Sequence, residues 1–181
     1  MINTSYEVIK SDLKYTGKIF NVYSDRLSMP DGSEAVREYV LRGGAAAIVA
    51  EDPEGKILFV RQYRHPIRKM TLELPAGTLE SCEEPELCAL RELEEETGWK
   101  AKSLRHLTAI YTSVGICSEL LNIYLAEGLE PGVQCLDADE FIELARYSLE
   151  DALEMICSGE LTDAKTVTGL LMYKEYLSRR G

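Results

Sequence analysis

The sequence predicts an α/β protein with a small β arm at its N-terminal end. Three observations point there. Residues Phe20 to Met29 and Glu34 to Leu41 are strand-like and flank Pro30-Asp31-Gly32, where proline fixes φ and glycine accepts a positive φ. The short apolar runs that start at Ala45 and Ile57 read as buried strands. A well-marked helix lies between Pro85 and Gly98, and two further helical patterns close the chain.

Taken in order, residues 1–41 form the arm. It holds too few apolar residues for a core of its own, so it must pack on the main domain or on a second subunit. Gly43-Gly44 marks a break, and residues 42–181 form the main domain. After the Ala45 to Ala50 strand, Asp52-Pro53-Glu54-Gly55 is a turn. The run Ile57 to Arg64 begins apolar and ends polar, as where a strand leaves the core and reaches a site. Ser103 to Tyr111 and Leu120 to Ala126 read as strands enclosing a loop over 112–119. Gly128 to Ala138 reads as a loop and Phe141 to Ala145 as the last strand. Ser148 with Asp151 three residues on resembles a capping box, opening a helix that should stop near Gly159. The final helix, from about Asp163 to Leu177, should turn Val167, Leu170, Leu171 and Tyr173 to the core.

Composition narrows the function classes. Twenty Lys and Arg stand against 31 Asp and Glu, a net charge of −11 over 181 residues. That balance argues against binding nucleic acid or an anionic membrane, both of which require a basic surface. No apolar run approaches the ~18 residues of a membrane span, and the first residues lack the features of a signal peptide. The five cysteines form no C-x-x-C pair, and only two histidines could join them. Free thiols in a reducing cytoplasm fit better than a zinc site.

Within the central helix, Pro85 suits the first position and Gly98 the residue past the end. Leu87, Leu90 and Leu93 fall along one side, while Glu92, Glu95 and Glu96 converge on the other. Three carboxylates this close repel one another. A hard divalent cation reverses the sign of that interaction, since Mg2+ takes oxygen ligands and shares them with substrate phosphates. The plain alternative is a solvated acidic face on which Arg91 pairs with Glu95.

The wider segment favours the metal. From Gly77 the layout runs five residues to Glu83, seven more to Arg91-Glu92, then Leu93, Glu95-Glu96, Gly98 and a bulky Trp99. This layout resembles the box of the Nudix hydrolases at every specified position. The resemblance implies an α/β/α sandwich around a mixed sheet and a reaction that splits a nucleoside diphosphate linked to another moiety. It implies Mg2+, with Mn2+ as the alternative, held by Glu92, Glu95, Glu96 and the backbone carbonyl of Ala76. Glu83 would order the loop or sit outside the ligand set.

Further positions resemble the ADP-ribose and nucleotide-sugar members. Gln62-Tyr63-Arg64 followed by Glu73-Leu74-Pro75-Ala76-Gly77 is their arrangement, which places Arg64 and Glu73 at the substrate. A guanidinium suits a pyrophosphate because its planar fork binds phosphate oxygens bidentately. Ser113, Gly115 and Glu119 fit a loop whose Glu119 acts on water or metal, and Arg91 and Glu95 complete the catalytic set. Phe20 and Arg37 would flank the base. Val114 stands where that branch carries proline. The likeness runs from about residue 17 onward and includes the Gly159 to Thr166 junction.

The expected reaction is therefore hydrolysis of ADP-ribose to AMP and ribose 5-phosphate, by a homodimer to which the arm contributes. The alternatives are GDP-mannose or another nucleotide sugar, a non-catalytic module that senses a nucleotide, and a purely structural dimerisation domain. Sensing modules of this type lose box carboxylates, and this chain keeps all of them.

Overall fold

A computed structural model describes residues 5–136, 138 and 140–180. Residues 1–4 of the arm, Asp137 of the expected loop, Asp139 and the last residue lie outside the described residues. The chain divides into two compact units. One takes the chain up to Gly43 together with Tyr111–Leu120, and the other takes Gly44–Ile110 and the chain from Leu121 onward.

The first unit is a three-stranded antiparallel sheet in the order β1 (Glu7–Thr16), β2 (Asn21–Ser28), β3 (Glu34–Leu41). The β2–β3 turn forms where the sequence placed it, with Gly32 at φ 83° and its N–H donating to the Met29 carbonyl at 2.9 Å. Strand β1 was not anticipated. Its apolar residues Val8, Ile9, Leu13 and Tyr15 do not alternate, and its pairing with β2 shifts register at Val8/Lys10 and Leu13/Tyr15. All four side chains are exposed. The 111–120 loop runs along β3, where Val40 N–H donates to the Ile116 carbonyl and Ser118 N–H donates to the Val40 carbonyl.

The second unit holds two sheets, β7-β4-β9-β8 and β10-β5-β6. Their strands are β4 (Ala45–Ala50), β5 (Ile57–Arg64), β6 (Lys69–Glu73), β7 (Ala76–Thr78), β8 (Trp99–Tyr111), β9 (Leu120–Pro131) and β10 (Glu143–Tyr147). The first sheet is mixed, since β4 runs parallel to β9 and antiparallel to β7. Every residue of β4 is buried, and alternate side chains enter different cores. Ala45, Ala47 and Val49 join the core packed by helices α2 (Leu149–Ser158) and α3 (Ala164–Ser178). Ala46, Ile48 and Ala50 join the core packed by helix α1 (Pro85–Thr97). A sheet buried on both faces between helices is the predicted α/β/α sandwich around a mixed sheet.

The capped helices start and stop as expected. Gly98 ends α1 at φ 71°, and the Ser148 side chain accepts the Asp151 N–H at the start of α2. Other boundaries move. Strand β9 continues to Pro131, β8 begins at Trp99, and the last strand covers Glu143–Tyr147 in place of 141–145. On α3, Leu170 and Tyr173 are buried, but Leu171 is 48% exposed and does not reach the core. Among the described residues, no helix is long and apolar enough to cross a membrane.

Candidate active site

The leucines and the carboxylates do not lie on opposite sides of α1 as expected. Leu87 is 58% exposed, and the buried positions are Cys88, Ala89, Glu92, Leu93, Glu96 and Thr97. Two carboxylates therefore share the buried face with apolar residues. Both lie against the short β7 region. Ala76 N–H donates to Glu96 Oε2 at 2.9 Å, and the Glu92 carboxylate lies directly over Gly77. A Cβ built on Gly77 would stand 1.8 Å from Glu92 Oε1. Glycine is required here for close approach, since a methyl group would fill the place of the carboxylate.

Burial sets the electrostatics of this pair. It pushes the Glu96 carboxyl up to about 8, against the pull of the Ala76 N–H, and the charges of Glu92 and Glu140 add to the rise. Glu92 is raised for the same first cause, with Glu95 and Glu140 adding and Arg91 opposing. The side chain of Glu95 is 40% exposed at the edge of the group.

Arg91 is the internal countercharge. Its Nη1 lies 2.7 Å from Glu92 Oε1 and 2.9 Å from Glu95 Oε2, while Nε and Nη2 hold both oxygens of Glu83. Glu83 also accepts the Glu80 N–H, and with Arg91 beside it the carboxyl is held at about 2. The i,i+4 pair of Arg91 and Glu95 thus forms, as one edge of a four-residue network. Among the described residues, no three His, Cys, Asp or Glu side chains close on one point tightly enough to enclose an ion.

The donor set nevertheless fits a hard cation. It is all oxygen, it is aimed over a glycine that leaves room for it, and burial opposes its charge, which a divalent ion would compensate.

A second charged group stands at the end of β5. Arg64 donates from Nε to Glu73 Oε1 at 2.7 Å and from Nη2 to Glu73 Oε2 at 2.6 Å. Burial works to raise the Glu73 carboxyl, but Arg64, Lys165 and Thr71 outweigh it and hold the group at about 2. Glu73 is 2% exposed, so the structure places it beneath Arg64 as an anchor. Lys165 also acts on Glu96 and Glu96 on Arg64 through their charges, which ties this group to the α1 carboxylates.

Phe20, Arg37 and Glu119 belong to the first unit. Phe20 is partly exposed with its ring 5.9 Å from that of Tyr15, and Arg37 donates to the Val36 carbonyl. Glu119 is buried and pairs with Arg42 at 3.1 Å, while Val114 is 83% exposed in the same loop. Two residues of the second unit were missed by sequence reasoning. Lys165 sat in the singled-out Gly159 to Thr166 junction without a role. Glu140, whose charge reaches Glu92 and Glu96, sat between a presumed loop and a presumed strand, and its acidic run was the only signal.

Fold and site together define a member of one family. The chain belongs to the NUDIX domain family, whose model matches residues 41–167. It is 43% identical to an ADP-ribose pyrophosphatase of Bacillus subtilis, over 94% of this chain and 95% of that protein. It is 39% identical to a methanol dehydrogenase activator of Bacillus methanolicus, over 89% and 88%. A crystal structure of an ADP compounds hydrolase superimposes with a TM-score of 0.88 at 23% identity, covering 98% of this chain and 97% of that one, and so shares the fold.

Proposed function

We propose that the protein hydrolyses the pyrophosphate bond of a nucleoside diphosphate sugar, with ADP-ribose giving AMP and ribose 5-phosphate, and that it uses Mg2+ or Mn2+. The observation that carries this reading is the buried Glu92 and Glu96 pair folded over the Ala76–Gly77 backbone. Identity across nearly the full length of an ADP-ribose pyrophosphatase supports the choice of ester.

In this reading Glu92, Glu95, Glu96 and the Ala76 carbonyl would hold the metal, which when bound would neutralise the pyrophosphate oxygens and make a water more acidic. Arg91 orients the carboxylates from behind, and Arg64 offers its remaining N–H groups to the phosphates. Phe20 and Arg37 flank the base. A water oxygen attacks one phosphorus, the bond from that phosphorus to the bridging oxygen breaks, and a carboxylate accepts the proton. Glu119 is one candidate for that carboxylate. Glu140 is another, supported by its charge, which helps to raise Glu92 and Glu96.

The exposed Val8, Leu13, Tyr15 and Val36 of the three-stranded sheet support a homodimer in which the arm is covered. The acidic balance and five unbridged cysteines support a cytoplasmic protein without nucleic-acid or membrane partners. A panel of nucleoside diphosphate sugars assayed with Mg2+ tests the substrate. ADP-ribose should be cleaved fastest, to equimolar AMP and ribose 5-phosphate, without phosphate release from ATP. Rapid ATP hydrolysis with inert ADP-ribose would overturn the reading, and a preference for GDP-mannose would move the substrate within the class.

A further inference from the structure

The N-terminus of α3 carries three polar residues that the chemistry above leaves without a role. Asp163 caps the helix, accepting the Thr166 N–H at 3.1 Å and its hydroxyl at 2.6 Å. Thr166 is fully buried, and its oxygen accepts the Leu74 N–H at 2.8 Å. Lys165 forms an ion pair with Glu73 and donates to Asp163 Oδ2 at 2.9 Å. The Lys165 side chain is only 11% exposed. A lysine so withdrawn from water keeps its charge only if that charge is paired, and a surface ion pair would not bring it inside.

The geometry around Glu73 shows what the pairing achieves. A carboxylate offers about four acceptor sites. Arg64 takes two with Nε and Nη2, Thr71 Oγ1 takes another at 2.6 Å, and Lys165 takes the fourth. All four are engaged within the protein, so in this structure the Glu73 carboxylate holds its neighbours in place. Arg64 spends one edge of its fork on Glu73, which leaves three of its five N–H groups for phosphate oxygens. Lys165 and Arg64 together balance Glu73 and Asp163 in charge. Without the ammonium the group is left with an excess negative charge directly behind the arginine, opposing any bound anion.

We propose that Lys165 is a positioning residue for substrate binding. It ties the Glu73 carboxylate to the cap of α3, so that Arg64 is presented in one orientation with its field undiminished. This rests on Arg64 contacting the pyrophosphate. Lys165 itself touches neither substrate nor reacting atoms.

The test compares Lys165→Met, Lys165→Arg, Arg64→Ala and the Lys165→Met/Arg64→Ala double variant on the best substrate of the panel. Lys165→Met should raise KM about tenfold or more while kcat stays within about threefold. Mn2+ affinity measured by calorimetry should change far less than KM, since the charge of Lys165 is the smallest of the influences on Glu96, and Lys165→Arg should recover most of the loss. The double variant should be no worse than Arg64→Ala alone, because in substrate binding the lysine acts through the arginine. A Lys165→Met enzyme with wild-type KM overturns the proposal, as does a penalty that multiplies with that of Arg64→Ala, or a loss in kcat alone. Should Lys165→Met not fold, Lys165→Gln is judged by the same KM criterion, since it keeps a polar group in place but removes the ammonium charge. Failure of the functional reading looks different: the wild type then cleaves no nucleoside diphosphate ester. In that event the comparison becomes calorimetric affinity for ADP, which the proposal requires to be weaker in Lys165→Met.

Discussion

Glu92 Oε1 lies 1.8 Å from where a Cβ on Gly77 would stand, so the glycine and the glutamate cannot both carry side chains in this arrangement. The group that would have to move is the far end of a flexible side chain. Gly77→Ala should therefore cost little in folding but push the Glu92 carboxylate out of the set. We expect a normal circular dichroism spectrum, weaker Mg2+ dependence and a fall in kcat/KM of about tenfold or more. An alanine variant as active as wild type would remove Glu92 from the metal assignment.

Glu96→Gln separates charge from packing more cleanly. The amide can still accept the Ala76 N–H, and it buries no charge. Fold and melting temperature should hold, while turnover at saturating Mg2+ falls by ~100-fold or more because a metal ligand is lost. Glu94→Gln is the control. Glu94 pairs with Lys100 at 3.0 Å on the outer side of the helix and should tolerate the change.

These two predictions show what a helical pattern can and cannot reveal. The ends of α1 and α2 were legible because Pro85, Gly98, Ser148 and Gly159 act within one turn. The box carboxylates were legible as a spacing. Their burial was not, because which face of α1 turns inward depends on the Ala76 N–H and on the space left over Gly77, which no periodicity reports. Strand β1 escaped because a strand exposed on both faces needs no alternation, and β6 and β7 because strands of five and three residues carry little pattern. Lys165 and Glu73 lie 92 positions apart, and only the folded chain brings them together.

The Glu73 cluster should make stability fall in acid. Its carboxyl is held at about 2 against an ordinary 4.5, so the folded state favours the charged form. The sign follows: the contribution is fully present above about pH 5 and is lost as pH falls through 4.5 towards 2. Its upper bound is about 3–4 kcal/mol, from roughly 1.4 kcal/mol per unit of pKa. Urea unfolding at pH 6 and pH 3 should show wild type losing more stability than Glu73→Gln over that interval. Equal losses would mean that Glu73 keeps an ordinary carboxyl.

The proton acceptor is the last assignment to be separated, and Glu119 and Glu140 make opposite predictions. Glu119 is engaged by Arg42 at 3.1 Å, so in this structure its carboxylate already has a cationic partner. The charge of Glu140 helps to raise both Glu92 and Glu96. Whichever accepts the proton, its change to glutamine should lower kcat by ~100-fold or more with little effect on KM, as expected for a general base. Mn2+ binding should survive, unlike in Glu96→Gln. We expect that result for Glu140→Gln. Glu119→Gln should instead loosen the 112–119 loop by releasing Arg42 and change KM more than kcat. Val114→Pro, in the same exposed loop, should shift preference among nucleotide sugars by stiffening the open chain. Kinetics of the three variants across the substrate panel distinguish the roles. A large kcat loss confined to Glu119→Gln would return the proton to Glu119 and leave Glu140 as a charge near the metal.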